Sequence, residues 1–144
     1  MAVTADPRLF TVEEANALVP RLEILMSKLQ RDGFALREHI AELSRQTGQA
    51  PDNISMAEIL ELRPQLEPLM QALQTLLDEI TACGGQMKGL DLGLVDFPAE
   101  LDGEIVLLCW QYGEQEIAYY HSLEGGFAGR KPLSPTAGRP KQLQ

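Results

Sequence analysis

Two glycine-containing two-residue turns, set between three short runs of strand-forming residues, constrain the fold of this chain more than any other feature. Short runs bounded by such turns are typical of β-strands joined in hairpins. These runs cover residues 94–101, 104–112 and 115–122. Asp102-Gly103 favours a type I′ turn and Gly113-Glu114 a type II′ turn, each a two-residue hairpin loop. We therefore predict a three-stranded antiparallel β-meander over about residues 93–122.

Two-residue loops also fix which residues face each other across the strands. One predicted face is apolar and aromatic, and we expect it to pack on helices. Its rows are Val95–Trp110–Ile117 and Phe97–Leu108–Tyr119. Asp96 and Cys109 lie on the other face, which is mixed, whereas His121 points to the helix-packed face. Pro98 has no amide hydrogen for a ladder, which predicts that the first strand is an edge.

A first helical stretch begins at Thr11. Thr11 and Glu14 have the spacing of a capping box. One apolar stripe follows at helical spacing. It consists of Leu18, Leu22, Leu25, Leu29, Leu36, Ile40 and Leu43. Pro20 lies near its start and should kink the helix or begin a longer second piece.

A second helical stretch carries the most regular apolar pattern in the chain. Its steps of three and four residues are typical of a helix that packs lengthwise on another helix. The seam runs through Ile59, Leu62, Leu66, Leu69, Leu73, Leu76 and Ile80. Ser55 and Glu58 form a second capping box. Pro64 and Pro68 predict a kink or a continuous helix that begins near Pro64.

These patterns predict an α+β fold. A long antiparallel helical hairpin, kinked at prolines, spans about residues 11–83 and packs against the three-stranded meander. A Gly-rich loop over 123–133 completes one domain of residues 1–133, and residues 134–144 form a flexible tail. The hairpin is longer than a small sheet can cover, so we expect a second copy to bury the helical seam in a homodimer.

Charge and composition narrow the partners and the compartment. The net charge is −9, which argues against nucleic acid and against anionic membrane surfaces. The longest apolar run, residues 105–110, is too short to span a membrane. The N-terminus does not resemble a secretory signal, and the two cysteines are typical of free thiols, so we expect a cytoplasmic protein.

Candidate metal ligands lie in an acidic stretch. Residues 89–124 contain eight Asp and Glu residues but no Lys or Arg. Carboxylate, thiolate and imidazole are the ligands of zinc or iron, and a divalent transition metal is the cofactor that this set would hold. The candidates are Asp96, Cys109, Glu114 and His121. Because the predicted register turns His121 away, such a site needs a bulge, a second subunit or a Gly125-Gly126 loop that folds back.

A second candidate site is the Gly-rich loop. Arg130, with the amides of Gly125, Gly126 and Gly129, could hold a phosphate or a carboxylate. The loop lacks the lysine and hydroxyl residue of a nucleotide-binding P-loop. The alternative is that Arg130 pairs with an acid of residues 89–124 and pins the loop to the sheet.

Three stretches resemble the bacterial family known as domain of unknown function 2203. They are residues 8–16, residues 93–98, and residues 109–114 continuing through His121 to 126–130. The resemblance covers most of the chain. It implies a small prokaryotic cytoplasmic protein with helices followed by a short sheet, and it carries over no activity and no catalytic residue.

Three hypotheses for function remain. The first is a non-catalytic homodimeric interaction or scaffold protein that uses the helical seam. The second is a metal-binding protein or metal-dependent enzyme centred on Asp96, Cys109 and His121. The third is a binder of small anionic ligands at Arg130 and the Gly-rich loop.

Overall fold

The fold is α+β, as the sequence predicts. A computed structural model of the chain describes residues 8–133. Over this range four α-helices precede a five-stranded antiparallel sheet. The helices are α1 (Val12–Asn16), α2 (Val19–Thr47), α3 (Met56–Leu62) and α4 (Glu67–Ala82). The strands are β1 (Gln86–Gly89), β2 (Leu94–Leu101), β3 (Glu104–Gln111), β4 (Tyr119–His121) and β5 (Lys131–Pro132), side by side in chain order. The predicted tail, 134–144, lies outside the described residues.

The helical half is more divided than the predicted hairpin of two long helices. Pro20 occupies the first turn of α2, after the short helix α1 has ended. A 3₁₀ turn over Pro64–Leu66 separates α3 from α4, and Pro68 lies in the first turn of α4. Proline lacks an amide hydrogen, which costs nothing in a first turn but breaks a helix interior. The prolines therefore restart the helices, and α2 packs against α4.

Both predicted capping boxes are confirmed. The amide of Glu14 donates to the Thr11 hydroxyl, and its carboxylate accepts from the Thr11 amide, both at 3.0 Å. At α3 the Glu58 amide donates to Ser55 Oγ at 3.1 Å, and Glu58 Oε1 accepts from the Ser55 amide at 3.3 Å. Each box satisfies two amides at a helix start that have no partner within the helix.

The predicted register between β2 and β3 is also confirmed. Asp102 and Gly103 have φ angles of 52° and 83°, as a type I′ turn requires. Across this turn Val95 faces Trp110, and Asp96 faces Cys109. The apolar face packs on the helices through Trp110, which is fully buried in the main hydrophobic core.

The predicted register of the third strand is wrong by one residue. Strand β4 begins only at Tyr119, which pairs with Cys109, and His121 pairs with Leu107. Because successive residues of a strand point to opposite faces, this shift moves His121 from the helix-packed face to the outer face. His121 therefore shares a face with Asp96 and Cys109.

The loop between β3 and β4 explains the shift. The Glu114 amide donates to the Gln111 carbonyl at 2.9 Å, so the turn is centred one residue earlier than predicted. Gly113 has a φ of 103° in the third position of this turn, which excludes the predicted type II′ geometry. The chain then leaves the sheet, and the buried Ile117 donates its amide to Asn16 Oδ1 at 2.6 Å.

The sheet has five strands instead of the predicted three, because two short strands add to it. Strand β1 pairs with the start of β2, so β2 is not the edge that Pro98 predicted. Pro98 lies beyond the paired part, and its carbonyl accepts from the Phe10 amide at 2.7 Å. Strand β5 forms within the predicted Gly-rich loop, where Lys131 pairs with Tyr120. Strands of four and two residues are too short to show an alternating pattern.

Within residues 8–133, no helix combines the length and the apolar character that a membrane span needs.

The Asn16–Ile117 hydrogen bond generates a testable prediction. In Asn16→Ala the buried Ile117 amide loses its acceptor, which costs about 1–3 kcal/mol. Urea denaturation should show this loss in the free energy of unfolding, whereas Asn16→Asp, which keeps an oxygen acceptor, should lose less. A change below about 0.5 kcal/mol in Asn16→Ala would show that this bond does not hold the loop.

Candidate metal centre

Three chemically active side chains meet on the outer face of the sheet. Asp96 comes from β2, Cys109 from β3 and His121 from β4. One carboxylate oxygen, the thiol sulfur and one imidazole nitrogen all lie within 4.8 Å of one another. The three residues are 1%, 1% and 2% exposed. A buried cluster of three potential ligands is therefore built from three neighbouring strands.

The segment after β4 covers this cluster. Its residues Leu123, Glu124, Gly126 and Phe127 lie against the outer face. The register shift of β4, and not one of the three conditions expected from the sequence, brings His121 to Asp96 and Cys109. Between segment and sheet lies a cavity of about 240 Å³. Its walls are formed by Lys88, Leu94, Asp96, Cys109, His121, Leu123, Glu124, Gly126 and Phe127. The three side chains of the cluster are thus buried at the base of a partly open cavity.

Hydrogen bonds orient the His121 ring. Its Nδ1 lies 2.7 Å from the carbonyl oxygen of Ser122, which can only accept, so Nδ1 carries a proton. Its Nε2 lies 2.8 Å from Asp96 Oδ2. A neutral ring protonated at Nδ1 has its lone pair on Nε2, facing another acceptor. A proton shared between Nε2 and the carboxylate accounts for this short contact, and a metal ion bound by both groups would take the place of that proton.

The Asp96 carboxylate is surrounded unevenly. Its Oδ2 faces His121 and also the Lys88 ammonium, with Nζ at 3.3 Å. Its Oδ1 is buried and has no hydrogen-bond partner within the described part of the chain. A buried carboxylate oxygen without a full partner is costly, and the neighbouring Cys109 thiol, which acts on the same carboxylate, is only a weak donor. A bound cation at this position would satisfy the oxygen.

The Cys109 thiol is protonated in this environment. Burial raises its pKa from 9.0 to about 12, and the negative charge of Asp96 adds to the rise. A thiol with this pKa is a poor nucleophile at neutral pH. A bound metal ion would reverse the balance, because a coordinating thiol loses its proton outright. The environment therefore fits a metal ligand better than a catalytic nucleophile.

Glu114, the fourth predicted ligand, lies outside the group of three. Its Oε2 accepts from Arg130 Nη2 at 2.7 Å, and its Oε1 accepts from the Gln111 amide at 2.8 Å. Arg130 therefore pairs with an acid of residues 89–124, as one sequence-based alternative proposed, and it pins the covering segment to the sheet.

The loop glycines are largely engaged within the loop. The Gly125 amide donates to the Ser122 hydroxyl at 2.9 Å, and the Gly129 amide donates to the Gly126 carbonyl at 3.0 Å. The Arg130 guanidinium stacks over the Tyr119 ring, 4.1 Å from its centroid. These contacts support a structural role for the loop, whereas Gly126 itself lines the cavity.

The donor set fits a borderline or soft divalent cation. Zn²⁺ accepts Cys sulfur, His nitrogen and Asp oxygen in tetrahedral geometry, with bonds of about 2.0–2.3 Å. Such bonds place ligand atoms about 3.3–3.6 Å apart, so the three side chains need only small shifts to converge. Mg²⁺ and Ca²⁺ prefer oxygen ligands alone and fit this set poorly.

Two residues of the site escaped the sequence analysis. Lys88 precedes the acidic stretch directly, and its position beside a run without bases was a usable signal for a counter-ion. The Ser122 carbonyl carries no signal, because any residue type supplies one. This carbonyl oxygen accepts from His121 Nδ1, a contact that would fix the tautomer of a histidine that binds a metal ion through Nε2.

The family of this chain follows from a match to a known protein family. The family described as "Uncharacterized conserved protein (DUF2203)" matches residues 8–133. The chain belongs to this family. No curated protein and no solved structure matches this DUF2203 chain. The match spans the helices, the sheet and the covering segment, so the cluster of Asp96, Cys109 and His121 lies entirely inside the family domain.

The raised pKa of Cys109 generates a second prediction. A rise from 9.0 to about 12 lowers the thiolate fraction about 1,000-fold at pH 8, below both pKa values. In metal-free protein, iodoacetamide should therefore alkylate Cys109 at least 1,000-fold more slowly in the native state than in urea, as followed by mass spectrometry.

Cys83 is the internal control for this experiment. It is partly exposed, so it should be alkylated in the native protein as well as in urea. Equal rates for Cys109 in the two states would contradict the described burial of the thiol.

Proposed function

We propose that this DUF2203 protein binds one divalent transition-metal ion, with Zn²⁺ as the best match. Its ligands are the Asp96 carboxylate, the Cys109 thiolate and His121 Nε2. The observation that supports this most strongly is the convergence of three different ligand types within 4.8 Å in a buried site. The Ser122 carbonyl holds a proton on Nδ1, so a neutral ring presents the lone pair of Nε2 to the ion beside Asp96 Oδ2.

The three ligands give a site with an open position. Structural zinc sites are usually closed by four protein ligands, whereas catalytic sites keep one position for water or substrate. The adjoining cavity of about 240 Å³ supplies space for such a ligand. A zinc-bound water in this space would have a pKa near 7, which suits hydrolytic chemistry. The ion therefore serves either as the centre of a metal-dependent enzyme or as a ligand-binding metal.

Elemental analysis tests the metal proposal. Protein purified without a polyhistidine tag and equilibrated with Zn²⁺ should retain one ion per chain after gel filtration. Cys109→Ser and His121→Gln should each weaken binding more than about 100-fold, because loss of a ligand exceeds the 10–100-fold cost of losing a second-shell partner.

The chain offers matched controls, because it has only two cysteines and two histidines. Cys83→Ser and His39→Gln remove the same chemistry away from the cluster and should keep full stoichiometry. The circular dichroism spectrum of each variant shows whether it is folded. Wild-type protein that retains no metal would contradict the proposal, and so would equal losses in the control variants.

We also propose that the protein forms a homodimer through the helical seam, as an interaction or scaffold protein. An apolar groove of about 440 Å³ runs between α2, α4 and β1. A neighbouring cavity shares Leu36, Leu73 and Leu77 with it and extends to Met56, which is 55% exposed. A second copy that covers this surface would remove apolar area from water, at about 25 cal/mol per Å².

Light scattering after gel filtration tests the dimer. The wild-type protein should have twice the mass of the chain, and Met56→Glu should shift it toward the monomer. Ile24→Glu is the matched control, because Ile24 is 59% exposed on α2 but does not line the groove. A monomeric wild type, or equal effects of the two substitutions, would contradict the dimer proposal.

A further inference from the structure

The Lys88 ammonium is the cation that accompanies Asp96 in the described structure. Its Nζ lies 3.3 Å from Asp96 Oδ2, and the side chain is 40% exposed, so it reaches the cluster from the rim. Lys88 lines the cavity beside the cluster and also the groove next to β1. The flexible Lys88 side chain therefore places a positive charge at the rim of the cavity.

The net charge around Lys88 changes when a metal ion binds. Two positive charges enter with the ion, and the Asp96 carboxylate and the Cys109 thiolate balance them. His121 coordinates as a neutral ring. The carboxylate that Lys88 faced is now committed to the metal, so the buried cluster together with Lys88 carries one net positive charge, and the remaining acid of the cavity wall, Glu124, is exposed to water. A site of this kind favours an anion.

The surroundings favour an anion with a single charge. Arg130, the other cation near the loop, is already paired with Glu114 at 2.7 Å. Glu124 lies at the exposed rim of the cavity and repels a dianion. Phosphate recognition usually employs several positive groups or a bidentate arginine. The apolar walls formed by Leu94 and Phe127 suit the hydrocarbon part of an organic acid.

We propose that the cavity binds a small monocarboxylate that takes the open position on the metal and pairs its charge with Lys88. This inference rests on the proposed metal site. One carboxylate oxygen coordinates the ion and the other accepts from Lys88 Nζ, which leaves Asp96. The cavity, at about 240 Å³, has room for a small carboxylate.

Cobalt substitution gives a direct assay, because tetrahedral Co²⁺ absorbs visible light and the spectrum responds to each ligand. Co²⁺-loaded wild-type protein is titrated with acetate. Its spectrum should change in a saturable manner. In Lys88→Met the acetate dissociation constant should rise at least about tenfold, because a charge-assisted hydrogen bond is lost.

Two further variants test the role of charge. Lys28→Met removes an exposed lysine on α2 and should leave the acetate titration unchanged. Lys88→Arg keeps the positive charge and should restore acetate binding at least in part. The cobalt spectrum before acetate is added shows that each variant is folded and loaded.

The outcomes separate this inference from the metal proposal. If no variant and no wild-type protein binds Co²⁺, both proposals are overturned. If Co²⁺ binds but acetate leaves the wild-type spectrum unchanged, only the carboxylate proposal is overturned. An equal acetate affinity in wild type and Lys88→Met would also overturn it, because Lys88 would then have no part in anion binding. Acetate binding as weak in Lys88→Arg as in Lys88→Met would overturn it too, because the proposal attributes the binding to the positive charge.

Discussion

The register of β4 against β3 is the constraint on which the site depends. Tyr119 lies opposite Cys109, and this pairing puts His121 on the same face as Asp96. A slip of one residue would turn the imidazole into the helix-packed core and separate it from both partners. Two hydrogen bonds that are not part of the strand ladder hold this register. One joins Asn16 to Ile117, and in the other Trp110 Nε1 donates to the Glu114 carbonyl at 2.9 Å.

Burying this cluster lowers the free energy of unfolding. Asp96 and His121 are the buried polar or charged residues of the described range, and their mutual contact offsets only part of the desolvation cost. Well-packed apolar residues at the same positions would often be as stable or more stable. The unpartnered Asp96 Oδ1 adds to the cost. An arrangement that stability alone does not favour is best explained by a ligand, and a metal ion satisfies all three side chains at once.

Local signals predicted much of the fold, and long-range contacts account for what they missed. Asp102-Gly103 set the β2–β3 register, and hydroxyl–glutamate pairs marked the starts of α1 and α3. The prolines marked where helices break, although the sequence left open whether each would kink or restart a helix. The predicted register of the third strand was wrong because the position of that strand depends on Asn16, which lies 101 residues before Ile117 in the chain. Three of the four predicted side chains, Asp96, Cys109 and His121, do lie together, but their convergence depends on a contact that no local pattern encodes.

X-ray absorption at the zinc edge tests the central claim most directly, since it counts the atoms bound to the ion. The account predicts one sulfur at about 2.3 Å and nitrogen or oxygen neighbours at about 2.0–2.2 Å, with a total of four. The sulfur contribution should vanish in Cys109→Ser and persist in Cys83→Ser. A zinc ion surrounded by oxygen alone in the wild-type protein would contradict the claim that β2, β3 and β4 bring these three side chains together as ligands.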